Sequence, residues 1–544
     1  MKIKIDTLFV NGTFYTMESE GATVESVASL HGRIFDAGTK EELMEKYDAG
    51  EVVDMGGRCV LPGLIDTHCH VAEWCEGMRK VDLTEAATVE KVLAMLKEAL
   101  ANVPEGHWLM GYQVTERKIG RLPNRWELDT VSDTVPIFLE ENGFHSFMVN
   151  SPMLRLLGVD KYFHGPGSQY CERREEDGEI NGIFREHGMI PYIMKNYRSV
   201  FKDEDDMLDG LREGLMRWSR YGYTTVHSCD GFSGSPIDEI GTYQKLERQG
   251  RLPMRVVLNK QRAVDNSMGA ISGLGDDMVR YGAFKIFIDG SFSGRSALLT
   301  EDYADDPGNR GKIARSYEEF CSLVRHAYEL GNDLAIHVIG DAAVDWVLKA
   351  LESFYDPKRK DQQIALIHVS LTRPDQWEKM ARYPIVLETQ PIFLPDMEHS
   401  REHRLDEKRA RWLMAYRSWM DQGLIVAGGE DGPIYSSDPF LSMYYAVTRR
   451  IHDDVYLNPE QAVSVYEAVS MYTKNASFCA HEETRKGTIT PGKYADFAVL
   501  DRDIFHISPE KLKDVKNTRT YLGGKLVWDG ECGKNLQCRG ERNV

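Results

Sequence analysis

No uninterrupted apolar run in the sequence is long enough to cross a membrane, and the first residues, Met1 to Asp6, hold no apolar leader core. No C-x-x-C pair occurs, and the nine cysteines are scattered and odd in number. Neither a disulfide framework nor a cysteine-rich zinc knot is indicated, and reduced thiols in a cytoplasmic protein are expected. Positive charge is scarce: 66 basic residues face 85 acidic ones, for a net charge of −19. That field repels phosphate backbones and anionic lipid, so neither nucleic acid nor membrane is expected as a partner. Low-complexity segments and short-period repeats are missing as well. What remains is an ordinary globular composition, 42% hydrophobic and 28% charged over 544 residues. Such a chain builds a large domain with additions, or two to three domains.

Both ends read as short strands broken by turns, over residues 7–54 and 487–530. Thr7 to Thr16, Tyr494 to Leu500 and Lys525 to Trp528 are examples, with Gly523-Gly524 as a hairpin turn. Neither end buries a core alone, so residues 1–57 and 485–544 are expected to pair into one small β domain. The middle alternates apolar strands with amphipathic helices. Strand candidates lie near 60–65, 223–228, 254–259, 283–288, 334–339, 364–369, 385–389 and 424–428. Leu211, Leu215 and Trp218 mark one helix face, closed by Gly222, and Ser316 with Glu319 opens another helix through a capping box. Eight strands with helical crossovers imply an α/β fold, a (β/α)8 TIM-type barrel over 58–71 and 206–484. Periodicity alone leaves a doubly wound open sheet as the alternative. The stretch 72–205 is far longer than a normal crossover. It reads as an insertion leaving the carboxyl end of the first strand, the active-site face of such barrels, where it would form a lid or pocket wall.

The chemistry concentrates at strand ends. Val60-Leu-Pro-Gly-Leu-Ile-Asp-Thr-His-Cys-His70 carries His68 and His70 two apart, so both imidazoles face one way and can share a metal. For a lone H-x-H, two ordinary histidines are the better reading. The other strands change that weighting. Phe284, Ile286 and Ile288 form an apolar face, which turns Lys285 into the barrel. A lysine there is costly unless neutralised or paired. It either extends its stem to solvent or has captured carbon dioxide as a carbamate, an anionic metal bridge. His337 and His368 sit in apolar runs near the ends of consecutive strands. Singly each reads as a satisfied core residue; together with H-x-H they read as ligands. Glu430 and Asp431 end the eighth strand and point opposite ways, either as turn carboxylates or with one reaching the metal.

These motifs are similar to those of the amidohydrolase superfamily, and within it to the YtcJ-like group that includes N-substituted formamide deformylases. The resemblance covers nearly the whole chain. It rests on P-G-x-I-D-x-H-x-H, on F-K-x-x-x-D-G-S at 284–291, on H-x-I-G-D at 337–341 and on P-G-K-x-A-D-F at 491–497. It implies two metals, usually zinc. His68, His70 and Asp431 would hold the more buried ion, His337 and His368 the other, and carbamylated Lys285 would bridge them. Two positions depart from the group's pattern: Ile367 stands where an acidic residue is usual, and Glu430 where serine is usual. The first bears on support of the neighbouring histidine, the second on metal occupancy or substrate preference. By the same resemblance His145 and Glu186 are candidates near the substrate, and Gln390 and Asp289 are further pocket candidates.

The implied reaction is hydrolysis of an amide- or formamide-type, non-peptide C–N bond of a small molecule by metal-bound hydroxide, with Asp431 moving the proton. A decarboxylase or isomerase on the same scaffold, and a regulatory protein with a vestigial site, are the rival readings. A homodimer is a further expectation.

Overall fold

The computed structural model describes residues 2–141, 146–185, 189–196, 200–229, 240–260, 270–312, 315–359 and 361–530. Two compact units emerge, one of residues 1–70, 215–229 and 243–544, the other of 71–214 and 230–242.

The larger unit is built on eight parallel strands: β1 (Leu64–Cys69), β2 (Tyr223–Ser228), β3 (Arg255–Lys260), β4 (Val279–Phe287), β5 (Leu334–Val338), β6 (Ile364–His368), β7 (Ile385–Thr389) and β8 (Ile425–Gly428). They run side by side in sequence order. A doubly wound sheet would reverse its order midway, so that alternative falls. The ring nearly closes. Instead of a strand ladder, β8 and β1 are joined by Thr67 Oγ1 donating to the Gly428 carbonyl at 3.1 Å. The Asp431 amide donates to the His68 carbonyl, and the His70 amide to the Gly432 carbonyl, both at 2.8 Å.

Local sequence explains the frame. Strands β6 and β7 are buried along their whole length. Ala283, Ala335 and Ala365 pack with Ile367 and Cys229, small side chains that suit a narrow barrel interior. The helix Tyr317–Glu329 starts at Ser316, whose side chain and Glu319 form the reciprocal capping box. It stops where Gly331 adopts φ +95°, the left-handed turn that glycine makes at least cost. Behind β5 and β6, the helix Asp341–Phe354 buries Val344, Val347, Leu348 and Leu351, an apolar stripe at helical spacing.

The expected first strand at 60–65 is divided. Cys59–Pro62 pairs with Thr13–Tyr15 and Phe497–Leu500 in a six-stranded sheet drawn from both ends of the chain, whereas Leu64 begins the barrel. The break is Gly63, where a Cβ would lie 2.2 Å from Thr224 Oγ1. A second sheet holds Ile3–Val10, Ser26–Leu30, Arg33–Gly38 and Tyr47–Asp54. Phe9, Phe14, Val27, Val60, Phe497 and Tyr521 form a common core. Gly523 and Gly524 have φ +54° and +76° between paired strands, as a two-residue hairpin turn with positive φ at both positions requires.

The smaller unit has its own six-stranded sheet. One face packs Leu109, Leu139 and Met148 against Val92 and Leu96 of the helix Val89–Leu100. The other packs Met110, Phe138, Phe147 and Phe184 against Met153 and Leu154. The long insertion is therefore a folded body with cores on both sides of a sheet. Among the described residues no helix is long and apolar enough to cross a membrane.

Candidate metal centre

Four imidazoles converge at the carboxyl ends of β1, β5 and β6. Ring centroids lie 5.2 Å apart for His68 and His70, 5.0 Å for His68 and His368, and 4.6 Å for His337 and His368. Asp431, three residues past β8, places Oδ1 at 3.3 Å from His68 Nε2 and 3.1 Å from His70 Nε2. Ligand atoms of His68, His368 and Asp431 all lie within 4.8 Å of one another. Backbone strain helps aim these groups: His368 and Asp431 have φ +75° and +55°, a region that non-glycine residues enter at a cost of about 1–3 kcal/mol.

The back of each ring fixes which nitrogen carries the proton. His70 Nδ1 lies 3.1 Å from the Cys229 carbonyl, and His337 Nε2 lies 3.2 Å from the Gly290 carbonyl. A carbonyl only accepts, so those nitrogens donate. His368 Nδ1 donates to Gln390 Oε1 at 2.8 Å, and His68 Nδ1 meets the Cys229 sulfur at 3.1 Å. The remaining nitrogens of the three rings backed by oxygen, Nε2 of His70 and His368 and Nδ1 of His337, are bare in a neutral imidazole. Burial pushes His68 and His337 down to about 3 and His368 well below its usual range, so these three stay neutral.

Bare nitrogens facing a carboxylate oxygen repel one another unless something positive lies between them. His337 Nδ1 and Asp431 Oδ1 are buried and make no hydrogen bond among the described residues, an arrangement that proteins avoid unless another partner is supplied. An anionic carboxylate with neutral imidazoles is the donor set that a divalent cation takes. The residues fit a metal.

Lys285 is 1% exposed on β4, and its Nζ has no hydrogen-bond partner among the described residues. Burial drives it below the usual lysine range, against the opposing influence of Cys229, Asp431 and Glu388. It acts electrostatically on His68, His337 and His368.

Two other sequence candidates turn out to be supports. Gln390 orients His368, as described. Asp289 accepts the backbone amides of Leu298 at 2.9 Å, Gly340 at 2.8 Å and Ile339 at 3.1 Å, immediately behind His337. Burial pushes its carboxyl up to about 7 against the pull of those amides. His145 and Glu186 lie outside the described residues. Glu430 faces away from Asp431: its carboxylate accepts from Ser442 Oγ at 2.6 Å and Tyr223 OH at 3.3 Å. The departure from serine at 430 is thus absorbed by buried hydroxyls. At the other departure, Ile367 packs with Ala335 and Ala365 inside the barrel.

Sequence reasoning passed over several groups. Asp66, two residues before the H-x-H pair, accepts from Trp218 Nε1 at 2.9 Å and from the Glu430 and His68 amides at 3.0 and 3.2 Å. Burial still raises it to about 7. Glu388 on β7 is buried and raised to about 8 by that burial. Cys229, one residue past β2, touches both histidines of the motif. Its place at a strand end was the available signal.

Comparison with known proteins agrees with this geometry. The model of the amidohydrolase family matches residues 51–528. The chain belongs to the amidohydrolase family. This amidohydrolase is 29% identical to YtcJ of Bacillus subtilis over 533 residues, covering 95% of this chain and 98% of that one. It is 27% identical to the N-substituted formamide deformylase of Arthrobacter pascens over 544 residues, covering 96% and 98%. Among solved structures, a metal-dependent hydrolase from Pyrococcus horikoshii superposes with a TM-score of 0.76 at 26% identity, covering 92% of this chain and 99% of that one.

Proposed function

We propose that this amidohydrolase cleaves a non-peptide C–N bond in a small molecule of the amide or formamide kind, with two divalent ions, zinc by the donor set. The observation that carries the reading is convergence: four imidazoles meet beside Asp431, and the three backed by oxygen acceptors turn bare nitrogens away from those acceptors. His68, His70 and Asp431 would hold one ion, and His337 and His368 the other. Kinship with a formamide deformylase supports the bond type.

When bound, the ions lower the pKa of water from about 15.7 toward about 7 and polarise the scissile carbonyl. The chain's own groups supply the rest. Burial lowers the Lys285 ammonium and so favours the neutral amine, whose electron pair could add to carbon dioxide; the new N–C bond would form, one proton would leave, and the product would be an anionic carbamate able to serve as a ligand. Asp431 is ionised at neutral pH and so acts as the base. It accepts a proton at Oδ2 and returns it to the departing amine nitrogen. Phe393 stacks on His368 with centroids 5.7 Å apart and planes 17° from parallel, keeping water off that face of the ring.

The test uses purified protein, its metal content, and a panel of formamides, amides, cyclic imides and carbamates in oxygen-18 water. Hydrolysis delivers an amine and a carboxylate carrying solvent oxygen. Asp431→Asn retains the metals and loses turnover by about 100-fold or more, the scale of a lost general base. Full activity in that variant, or a product without solvent oxygen, refutes the reading.

A further inference from the structure

One residue outside the ligand set touches both arms of the H-x-H motif. Cys229 follows β2 and is fully buried. Its carbonyl accepts from His70 Nδ1 at 3.1 Å, and its sulfur lies 3.1 Å from His68 Nδ1. A third side chain fixes one partner of that sulfur. Asn259 Oδ1 accepts the Ala283 amide at 2.8 Å, which fixes the orientation of that side-chain amide. The atom it turns toward the Cys229 sulfur, at 3.6 Å, is therefore Nδ2, a donor. The sulfur accepts from Asn259, and where it also takes the His68 Nδ1 proton, Nε2 is left bare beside Asp431. The relay His68–Cys229–Asn259–Ala283 thus ties β1 to β2, β3 and β4, and Ala283 lies two residues before Lys285 on one face of its strand. A backbone carbonyl or a carboxylate is the common partner behind a metal-binding imidazole; here a thiol fills that place for one ring and its own carbonyl for the next.

We infer that Cys229 is the positioning residue of this metal centre, holding His68 and His70 in the tautomer and orientation that bind the first ion. The inference rests on the metal-centre reading above. Cys229 also packs with Ala283, Ala335, Ala365 and Ile367, so a purely space-filling role is the competing explanation, and the variants must separate the two. Cys229→Ser keeps an acceptor and loses volume. Cys229→Val keeps volume and loses the acceptor. Cys229→Ala loses both. Every variant keeps the carbonyl that serves His70, so the side-chain contribution falls on His68 alone.

The experiment measures zinc affinity of the full chain by competition with a chromophoric chelator, together with the visible spectrum of the cobalt(II)-loaded protein. Alanine and valine should each weaken one of the two ions by about 10–100-fold, the scale found for lost outer partners of ligands, and leave the other ion unchanged. Serine should recover most of the loss. Gln390→Ala, which removes the partner of His368 instead, should weaken the other ion. Valine matching or exceeding serine overturns the inference in favour of packing. A sulfur-to-cobalt charge-transfer band in the near ultraviolet of the wild type also overturns it, because the thiol would then be a ligand. Wild-type protein that takes up no divalent ion removes the metal-centre reading and this inference together; wild-type uptake with unchanged affinity in all three cysteine variants removes only the inference.

Discussion

Asp289 offers a stringent test of how the centre is supported. Its carboxylate is 6% exposed as a residue and is the acceptor for the amides of Leu298, Ile339 and Gly340. Asp289→Ala leaves three buried amides without that partner. Each unsatisfied amide costs about 1–3 kcal/mol, so the total is about 3–9 kcal/mol, with the lower end reached where water enters the space. Loss of a negative charge at the start of the helix Asp341–Phe354 adds about 0.3–1 kcal/mol. Asp289→Asn keeps one oxygen. Set at the Oδ2 position it retains Gly340 at 2.8 Å, Leu298 at 2.9 Å and the longer Ile339 contact at 3.3 Å, so the loss should be at most that of one weakened amide, about 1 kcal/mol. Hydrogen exchange followed by mass spectrometry reads the effect where it arises. Peptides covering Leu298 and Ile339–Gly340 should lose protection strongly in the alanine variant and weakly in the asparagine variant. His337 Nε2 lies 3.8 Å from Asp289 Oδ1, so affinity for the second ion should fall in the same order. Equal losses in the two variants, or unchanged exchange in Asp289→Ala, would show that the three amides do not depend on this carboxylate.

Glu430→Ser should lower stability by about 1–3 kcal/mol for each hydroxyl left without an acceptor yet keep both metals; loss of metal in that variant would mean that the side chain reaches the centre. Gly63→Ala should destabilise by about 1–3 kcal/mol through overpacking, because its methyl would lie 2.2 Å from Thr224 Oγ1 and 2.5 Å from its Cγ2. Adding Thr224→Ala should recover part of that loss, and denaturant midpoints decide the matter. The His481 ring is raised above 6.5 by its hydrogen bond to Asp333. A raised histidine stabilises fully below its unfolded pKa and loses that contribution as pH rises through the folded value. The melting-temperature gap between wild type and His481→Gln should therefore narrow from pH 5.5 to pH 8.5, and a gap that widens contradicts the pairing.

The barrel and the side chains that converge at its rim were legible for one reason: a strand that carries such a side chain is otherwise largely apolar. Ile364 to Ile367 read as a core strand, so His368 stood out, and the same held for Lys285 and His337. Strand β1 was misplaced because its apolar character continues through Gly63 into the terminal sheet, and only the close approach of Thr224 divides the two. Supports were hidden for the opposite reason. Asp289 and Gln390 carry the same functional groups as substrate-binding residues, and nothing along the chain says that their partners are backbone amides and an imidazole. Cys229 is one of nine cysteines and resembles core filling until the ring at 68 is seen beside it.

The strand Cys59–Pro62 is hemmed by neighbours from opposite extremes of the polypeptide, Thr13–Tyr15 on one flank and Phe497–Leu500 on the other. Only Gly63 separates it from β1. During synthesis on a ribosome, the segment bearing His68 and His70 thus emerges long before Phe497–Leu500, which supplies its lateral support through the strand Cys59–Pro62. The nascent chain must carry those two histidines through the synthesis of the whole barrel before that support arrives.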